Sequence, residues 1–175
     1  MALSEGREYS HILPKELFRL NILDPYRDQF FNDPIAEEIK FHQFFHHVNS
    51  SQAVCINYYY PFITEGKLEW IAEIFGCQDR VSEWAFEKVV DKAEQTNFDF
   101  YMKATGGKQL FFEVKYTEQE FGTAKNDESH QRKYHLIYSR RLKGKVKKCS
   151  MEDFFRHYQI LRNISYLEID SKDEL

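Results

Sequence analysis

Two carboxylates and an amine lie close together in the stretch Thr96 to Tyr116, TNFDFYMKATGGKQLFFEVKY. Asp99 and Glu113 offer the hard oxygen ligands that Mg²⁺ prefers. Lys115 can orient an attacking water or offset the negative charge that builds on a phosphate under attack. These groups suit metal-assisted hydrolysis of a phosphodiester. The competing reading is an ordinary cross-strand salt bridge in an α/β interaction domain.

The residues around them predict two strands joined by a glycine turn. Side chains alternate faces along a strand. Phe98, Phe100 and Met102 therefore share one face of the first strand, and Asp99 and Tyr101 the other. On the second strand Leu110, Phe112 and Val114 lie opposite Glu113 and Lys115. A two-residue turn at Gly106-Gly107 sets Asp99 across from Val114, an acid against the core. A three-residue loop, Thr105-Gly106-Gly107, sets Asp99 across from Glu113 and Phe100 across from Phe112. The second register unites the apolar face and the polar groups, so it is the one predicted.

At 175 residues the chain predicts one domain, residues 1–175, with residues 1–33 as an N-terminal extension. Cys55, Cys77 and Cys149 are scattered, which argues for a reducing compartment, the cytoplasm, and against a disulfide framework. No stretch is long and apolar enough for a membrane span, and the N-terminus lacks the apolar run of a signal peptide. The terminal KDEL reads as a coincidence rather than an address. The net charge of −4 hides an asymmetry. Residues 1–100 carry 9 basic and 17 acidic side chains, and residues 101–150 carry 12 basic and 5 acidic. The basic third ends in RRLKGKVKK, with Arg140, Arg141, Lys143, Lys145, Lys147 and Lys148. Beside metal-binding acids, such a run is expected to contact phosphates and to form one wall of the cleft.

Helical spacing is predicted over PIAEEIKFHQFFHHV after an Asp33-Pro34 start. A second helix opens at Ser50-Ser51 and ends near Pro61. A third is capped by Thr64 and stopped by Gly76. Val81 to Val90 reads as a strand leading into the hairpin. Asn126 to Leu142 reads as a helix with acids first and bases last. Ser150 and Asp153 form a capping box before MEDFFRHYQILRNI. Ile164 to Ile169 reads as a final strand, after which a longer parent protein would continue, so the chain is expected to be truncated at its C-terminus. A mixed sheet flanked by helices follows, of the α/β (α+β) class. His42 and His46 have the spacing of a zinc-protease helix, but Gln43 replaces the general-base Glu and a third ligand is lacking; structural histidines explain them better. Glu87 lies between apolar residues in AFEKVV and needs a partner if buried. Glu83, Glu38, Glu65, Glu118, Glu120 and Lys125 read as surface charges.

Asp99 followed by Glu113-Val114-Lys115 resembles the signature of the PD-(D/E)XK nuclease superfamily. IKFHQFFHHVNSSQAVCINYYYPF, AFEKVV, TNFDFYM, FFEVKYTEQEFG and YQILRN are similar, in order, to a bacterial group of that superfamily of restriction-endonuclease type. The similarity covers roughly residues 38–168. Phe98 stands where the family usually has Pro. The resemblance implies a restriction-endonuclease-like core of αβββαβ order and a Mg²⁺ (or Mn²⁺) dependent nuclease acting on DNA, with RNA left open. It implies that Asp99, Glu113 and the Val114 carbonyl ligate metal, that Lys115 is catalytic, and that Glu87 is a further ligand or base. It implies that Gln159 and Arg162 approach the DNA backbone. Two active sites for double-strand cleavage would make a homodimer. An inactive nucleic-acid-binding or structural protein of the same fold is the alternative.

Overall fold

The computed structural model describes residues 2–4, 7–92, 96–118 and 122–167. The chain divides into two compact units. The first comprises residues 1–88 and 98–117, and the second residues 89–97 and 118–175.

The first unit opens with a short antiparallel pair, β1 (Ala2–Ser4) and β2 (Arg7–Tyr9), then a 3₁₀ turn over Lys15–Asn21. Four helices follow: α1 (Asp24–Asn32), α2 (Ile35–Glu38), α3 (Ser51–Thr64) and α4 (Leu68–Ile74). The sheet has the order β3-β4-β5, with β3 spanning Val81–Asp91, β4 Thr96–Ala104 and β5 Gln109–Phe112. The chain is thus mixed α+β, consistent with the predicted class.

The β4–β5 hairpin has the predicted register. Phe100 pairs with Phe112, Tyr101 with Phe111, Met102 with Leu110 and Lys103 with Gln109. Its turn is the three-residue loop. Ala104 N donates to Lys108 O at 2.9 Å, and Gly107 N donates to Ala104 O at 2.9 Å. Gly107 takes φ +92°, a conformation costly for any residue with a Cβ. The pairing fixes the core because Phe100 is wholly buried and stacks on Tyr59 of α3, with ring centroids 3.8 Å apart. Burial of one such ring stabilises by about 1.5–3 kcal/mol.

Helix α3 begins where its sequence predicts. Ser50 Oγ accepts the N–H of Ala53 at 3.3 Å. The helix carries Pro61 inside its last turn and runs on to Thr64. Thr64 therefore ends α3 and does not cap α4, whose N-cap position is Lys67. The helix expected over residues 34–48 stops at Glu38. Ile39 is extended, at φ −84° and ψ 121°, and turns follow. From those turns Phe45 is buried and Phe41 half-buried, packed against each other at 4.7 Å and against Phe18 at 6.2 and 5.8 Å between ring centroids. The apolar spacing that resembles a helix is satisfied here by an aromatic cluster. His42 and His46 accordingly share no helix, and His46 is a buried structural side chain.

In the second unit, α5 (Glu128–Lys133) runs through a π-helical turn, Tyr134–Tyr138, into α6 (Ser139–Leu142). Tyr134 and Tyr138 both meet the buried Phe154 ring, at 5.1 and 4.9 Å between centroids. Ser150 and Asp153 form the expected capping box of α7 (Met151–Arg156). The helix breaks at His157, and α8 covers Tyr158–Tyr166. The final strand expected from Ile164 is therefore helical as far as Tyr166. Residues 168–169, with the terminal KDEL, lie outside the described residues, as does Glu120. A reason for the helix is visible at its end: the Lys145 ammonium donates to Ser165 O at 2.8 Å and to Leu167 O, which caps α8. No helix among the described residues is long and apolar enough to cross a membrane.

Candidate active site

The ladder of the hairpin ends at Phe100–Phe112. Extended by one residue that register would set Asp99 across from Glu113, but β5 ends at Phe112 and the pair lies beyond the ladder. Hydrogen-bonded pairs alternate along an antiparallel ladder. Ala104–Lys108 is such a pair, so the Val114 N–H would next be shared with Phe98. The Asp99 carboxylate takes that bond, with Oδ2 2.6 Å from Val114 N. A side chain thus enters the ladder where the backbone pairing stops. The Glu113 carboxylate, 15% exposed, meets the Lys115 ammonium at 2.9 Å.

The residues after Lys115 are tied to the start of α3. Tyr116 N donates to Ser51 Oγ at 3.2 Å, and Asn49 Nδ2 donates to Thr117 Oγ1 at 3.1 Å. One turn into α3, the buried Cys55 thiol lies 3.6 Å from the Asp99 carbonyl oxygen. Burial pushes this thiol up, and Asp99, Glu87 and Glu113 push it in the same direction. Three carboxylates therefore act on one point of the helix.

Glu87 reaches this group from β3. Its φ is +50°, the left-handed region, in the interior of a strand. Such outliers persist only where surroundings enforce them. Its Oε1 accepts from Gln52 Nε2 at 2.8 Å. Gln52 carries no signal in the sequence beyond its place in SSQA, because an uncharged amide at the start of an apolar helix has no periodic or charge signature.

The electrostatics of Asp99 follow from this crowding. Its carboxyl is pushed up to about 7, first by burial and next by Glu113, with Glu87 adding to both. The Val114 N–H and Lys115 oppose the shift. A carboxylate held among other carboxylates in a poorly solvated place is one that a divalent cation would stabilise. Among the described residues, no group of three His, Cys, Asp or Glu side chains is arranged to hold a metal. Asp99 and Glu113 with a backbone carbonyl would offer a smaller set, two carboxylates and one neutral oxygen. Oxygen donors of this kind are those that Mg²⁺ takes, since it keeps several waters and binds one or two carboxylates.

The basic residues of the second unit have diverse surroundings. Arg140, Lys143, Lys147 and Lys148 are exposed. Arg140 and Arg141 line a recess of about 380 Å³ with Leu136 and Ile137. Arg141 also faces Asp91 at 3.8 Å and the Tyr166 ring at 4.3 Å. Lys145 is the cap of α8. Arg162 sits 5.4 Å from the Tyr158 ring on the same helix as Gln159. Gln159 lies beside Gly122, where an added Cβ would come within 3.5 Å of it. Glu118 and Lys125 are exposed.

Residues 1–174 match the model of a family described as "Restriction Endonuclease associating with ARP". No curated protein and no solved structure matches the chain significantly. With the match running over nearly its whole length, the chain belongs to this restriction-endonuclease family.

Proposed function

We propose that the protein is a Mg²⁺-dependent nuclease of PD-(D/E)XK type that hydrolyses phosphodiester bonds in DNA. The observation that carries this reading is the hairpin register, which directs Asp99 and Glu113-Val114-Lys115 to one place. Family membership supports it. In this reading Asp99, Glu113 and the Val114 carbonyl hold the cation, and Glu87 is a further ligand or base. The cation, when bound, lowers the pKa of a coordinated water and offsets charge on the phosphate. Lys115 orients the attacking water and stabilises the charge developing on the phosphate oxygens. Glu113 keeps the Lys115 ammonium in place before substrate arrives. Arg140, Arg141, Lys143, Lys147, Lys148, Gln159 and Arg162 supply backbone contacts to the polymer. We extend the family's description to this chain in one further respect, that it associates with ARP.

A second reading has an observation of its own. The Glu113–Lys115 ion pair and the Asp99–Val114 bond also suit a hairpin that is purely structural. Thermal melting separates the two, because a ligand that binds only the folded state raises its stability. If the protein is the nuclease, Mn²⁺ or Mg²⁺ should raise its melting temperature and cleavage of plasmid DNA should stop in EDTA. A melting temperature indifferent to both ions leaves the structural reading.

A further inference from the structure

Ser51, Cys55 and Tyr59 recur every four residues along α3 and therefore share one face of it. That face meets the hairpin and the segment after it. Tyr59 stacks on the buried Phe100 ring, with centroids 3.8 Å apart. Cys55 Sγ lies 3.6 Å from the Asp99 carbonyl oxygen. Ser51 Oγ accepts the N–H of Tyr116 at 3.2 Å. The stripe is apolar against the core and polar at its end, beside the residues that follow β5.

Those residues have left the ladder. β5 ends at Phe112, so Glu113, Val114 and Lys115 lie beyond the backbone pairing. Side chains hold them instead, on both sides of Lys115. Before it, Val114 N donates to Asp99 Oδ2 at 2.6 Å; after it, Tyr116 N donates to Ser51 Oγ at 3.2 Å. Asn49 Nδ2 adds a bond to Thr117 Oγ1 at 3.1 Å. Between Asn49 and Ser51 stands Ser50, whose Oγ accepts Ala53 N and caps α3. The adjacent hydroxyls thus have separate tasks: Ser50 closes the helix, and Ser51 holds the chain that carries Lys115. One rotatable bond separates the Ser51 oxygen from the helix backbone, so its place follows from α3 itself.

We propose that Ser51 is a positioning residue that sets where Lys115 presents its ammonium to the phosphate under attack. The inference rests on the nuclease reading and deepens it, because it puts one determinant of the lysine's position in α3 rather than in the hairpin. An ammonium displaced by about 1 Å stabilises the transition state far less, at a cost of up to about 100-fold in rate.

The test is single-turnover cleavage of plasmid DNA by the full chain in Mg²⁺, beside Mn²⁺ binding by calorimetry. Ser51→Ala should slow cleavage at saturating DNA by about 10- to 100-fold and leave DNA and Mn²⁺ affinity unchanged. Ser51→Thr keeps the acceptor and should recover most of the rate. Wild-type cleavage by Ser51→Ala overturns the inference. So does a Ser51→Thr protein as slow as Ser51→Ala, or a Mn²⁺ affinity that falls with the rate, since either marks a general disturbance of the fold. Amide exchange in the unmodified chain covers a Ser51→Ala protein that does not fold. The Tyr116 amide should be protected as the Val114 amide is, and exchange at the rate of an open loop overturns the inference as well. A wild type that cleaves no DNA in Mg²⁺ or Mn²⁺ overturns the nuclease reading and this inference together, whereas cleavage that ignores Ser51 overturns only the latter.

Discussion

The carboxylate of Asp99 accepts the backbone N–H of Val114 at 2.6 Å, so the acid and the peptide between Glu113 and Lys115 are joined directly. Position and charge of the three candidate catalytic side chains are thereby coupled: a change at Asp99 reaches Glu113 and Lys115 through the strand.

Asp99 should make the metal-free protein less stable as pH rises. Its folded pKa, about 7, lies above its ordinary value of 3.8, so folding favours the protonated form. That contribution is complete below about pH 4 and is lost as pH climbs through 7. The gap corresponds to up to about 4 kcal/mol. Denaturant unfolding in EDTA at pH 5 and pH 8 should show wild type losing stability relative to Asp99→Asn across this window. Parallel pH profiles for the two proteins would mean that Asp99 is already ionised in the fold.

Lys115 and Asp99 should separate chemistry from metal binding. An ammonium does not ligate Mg²⁺, so Lys115→Ala should abolish DNA cleavage and leave Mn²⁺ affinity nearly intact. Asp99→Ala should lose both. Cleavage by Lys115→Ala at the wild-type rate would show the hairpin to be structural.

The basic run should divide into two classes. Lys143, Lys147 and Lys148 are exposed, and replacing each by Ala should reduce the slope of log affinity against log salt by about 0.9 if duplex DNA is the target. Lys145 is occupied with the C-terminal carbonyls of α8. Lys145→Ala should leave the slope unchanged and cost about 1–3 kcal/mol of stability. Binding in Ca²⁺ across a salt series, paired with denaturant unfolding, reads both. An unchanged slope after replacing Lys143, Lys147 and Lys148 together would place the DNA elsewhere.

Gly107→Ala tests the turn that sets the register. At φ +92° a Cβ is strained, although open space surrounds it. The substitution should cost about 1–2 kcal/mol in unfolding experiments. No loss of stability would indicate a different loop in solution.

The hairpin was legible because three independent signals agree on it. The alternation of Phe100 to Met102 against Leu110 to Phe112, the glycine turn and the placement of the acids all require one register; Phe98 departs from the alternation, packing 4.8 Å from Phe111, the ring beside Tyr101. Helix α3 and the Ser150 capping box were legible from local chemistry, a hydroxyl placed to accept an N–H three residues on. The segment after Glu38 was not, because Phe41 and Phe45 have helical spacing and yet pack from turns against Phe18, which lies far away in sequence. The stretch from Ile164 was misread for a related reason. Its β-branched and aromatic residues suit a strand, but it continues a helix whose end is set by Lys145, twenty residues earlier. Of the site, the charged residues announce themselves and Gln52 does not; its partners, residues 40, 42 and 87, lie outside its own helix.

Glu87 places durability and chemistry in opposition. Its left-handed backbone is one that Gly or Asn adopts at lower cost, and neither can supply a carboxylate. A library of this chain selected for heat resistance alone should drift toward Gly or Asn at position 87, and one selected for DNA cleavage should retain Glu. Frequencies at this single codon would report what the natural sequence has been kept for.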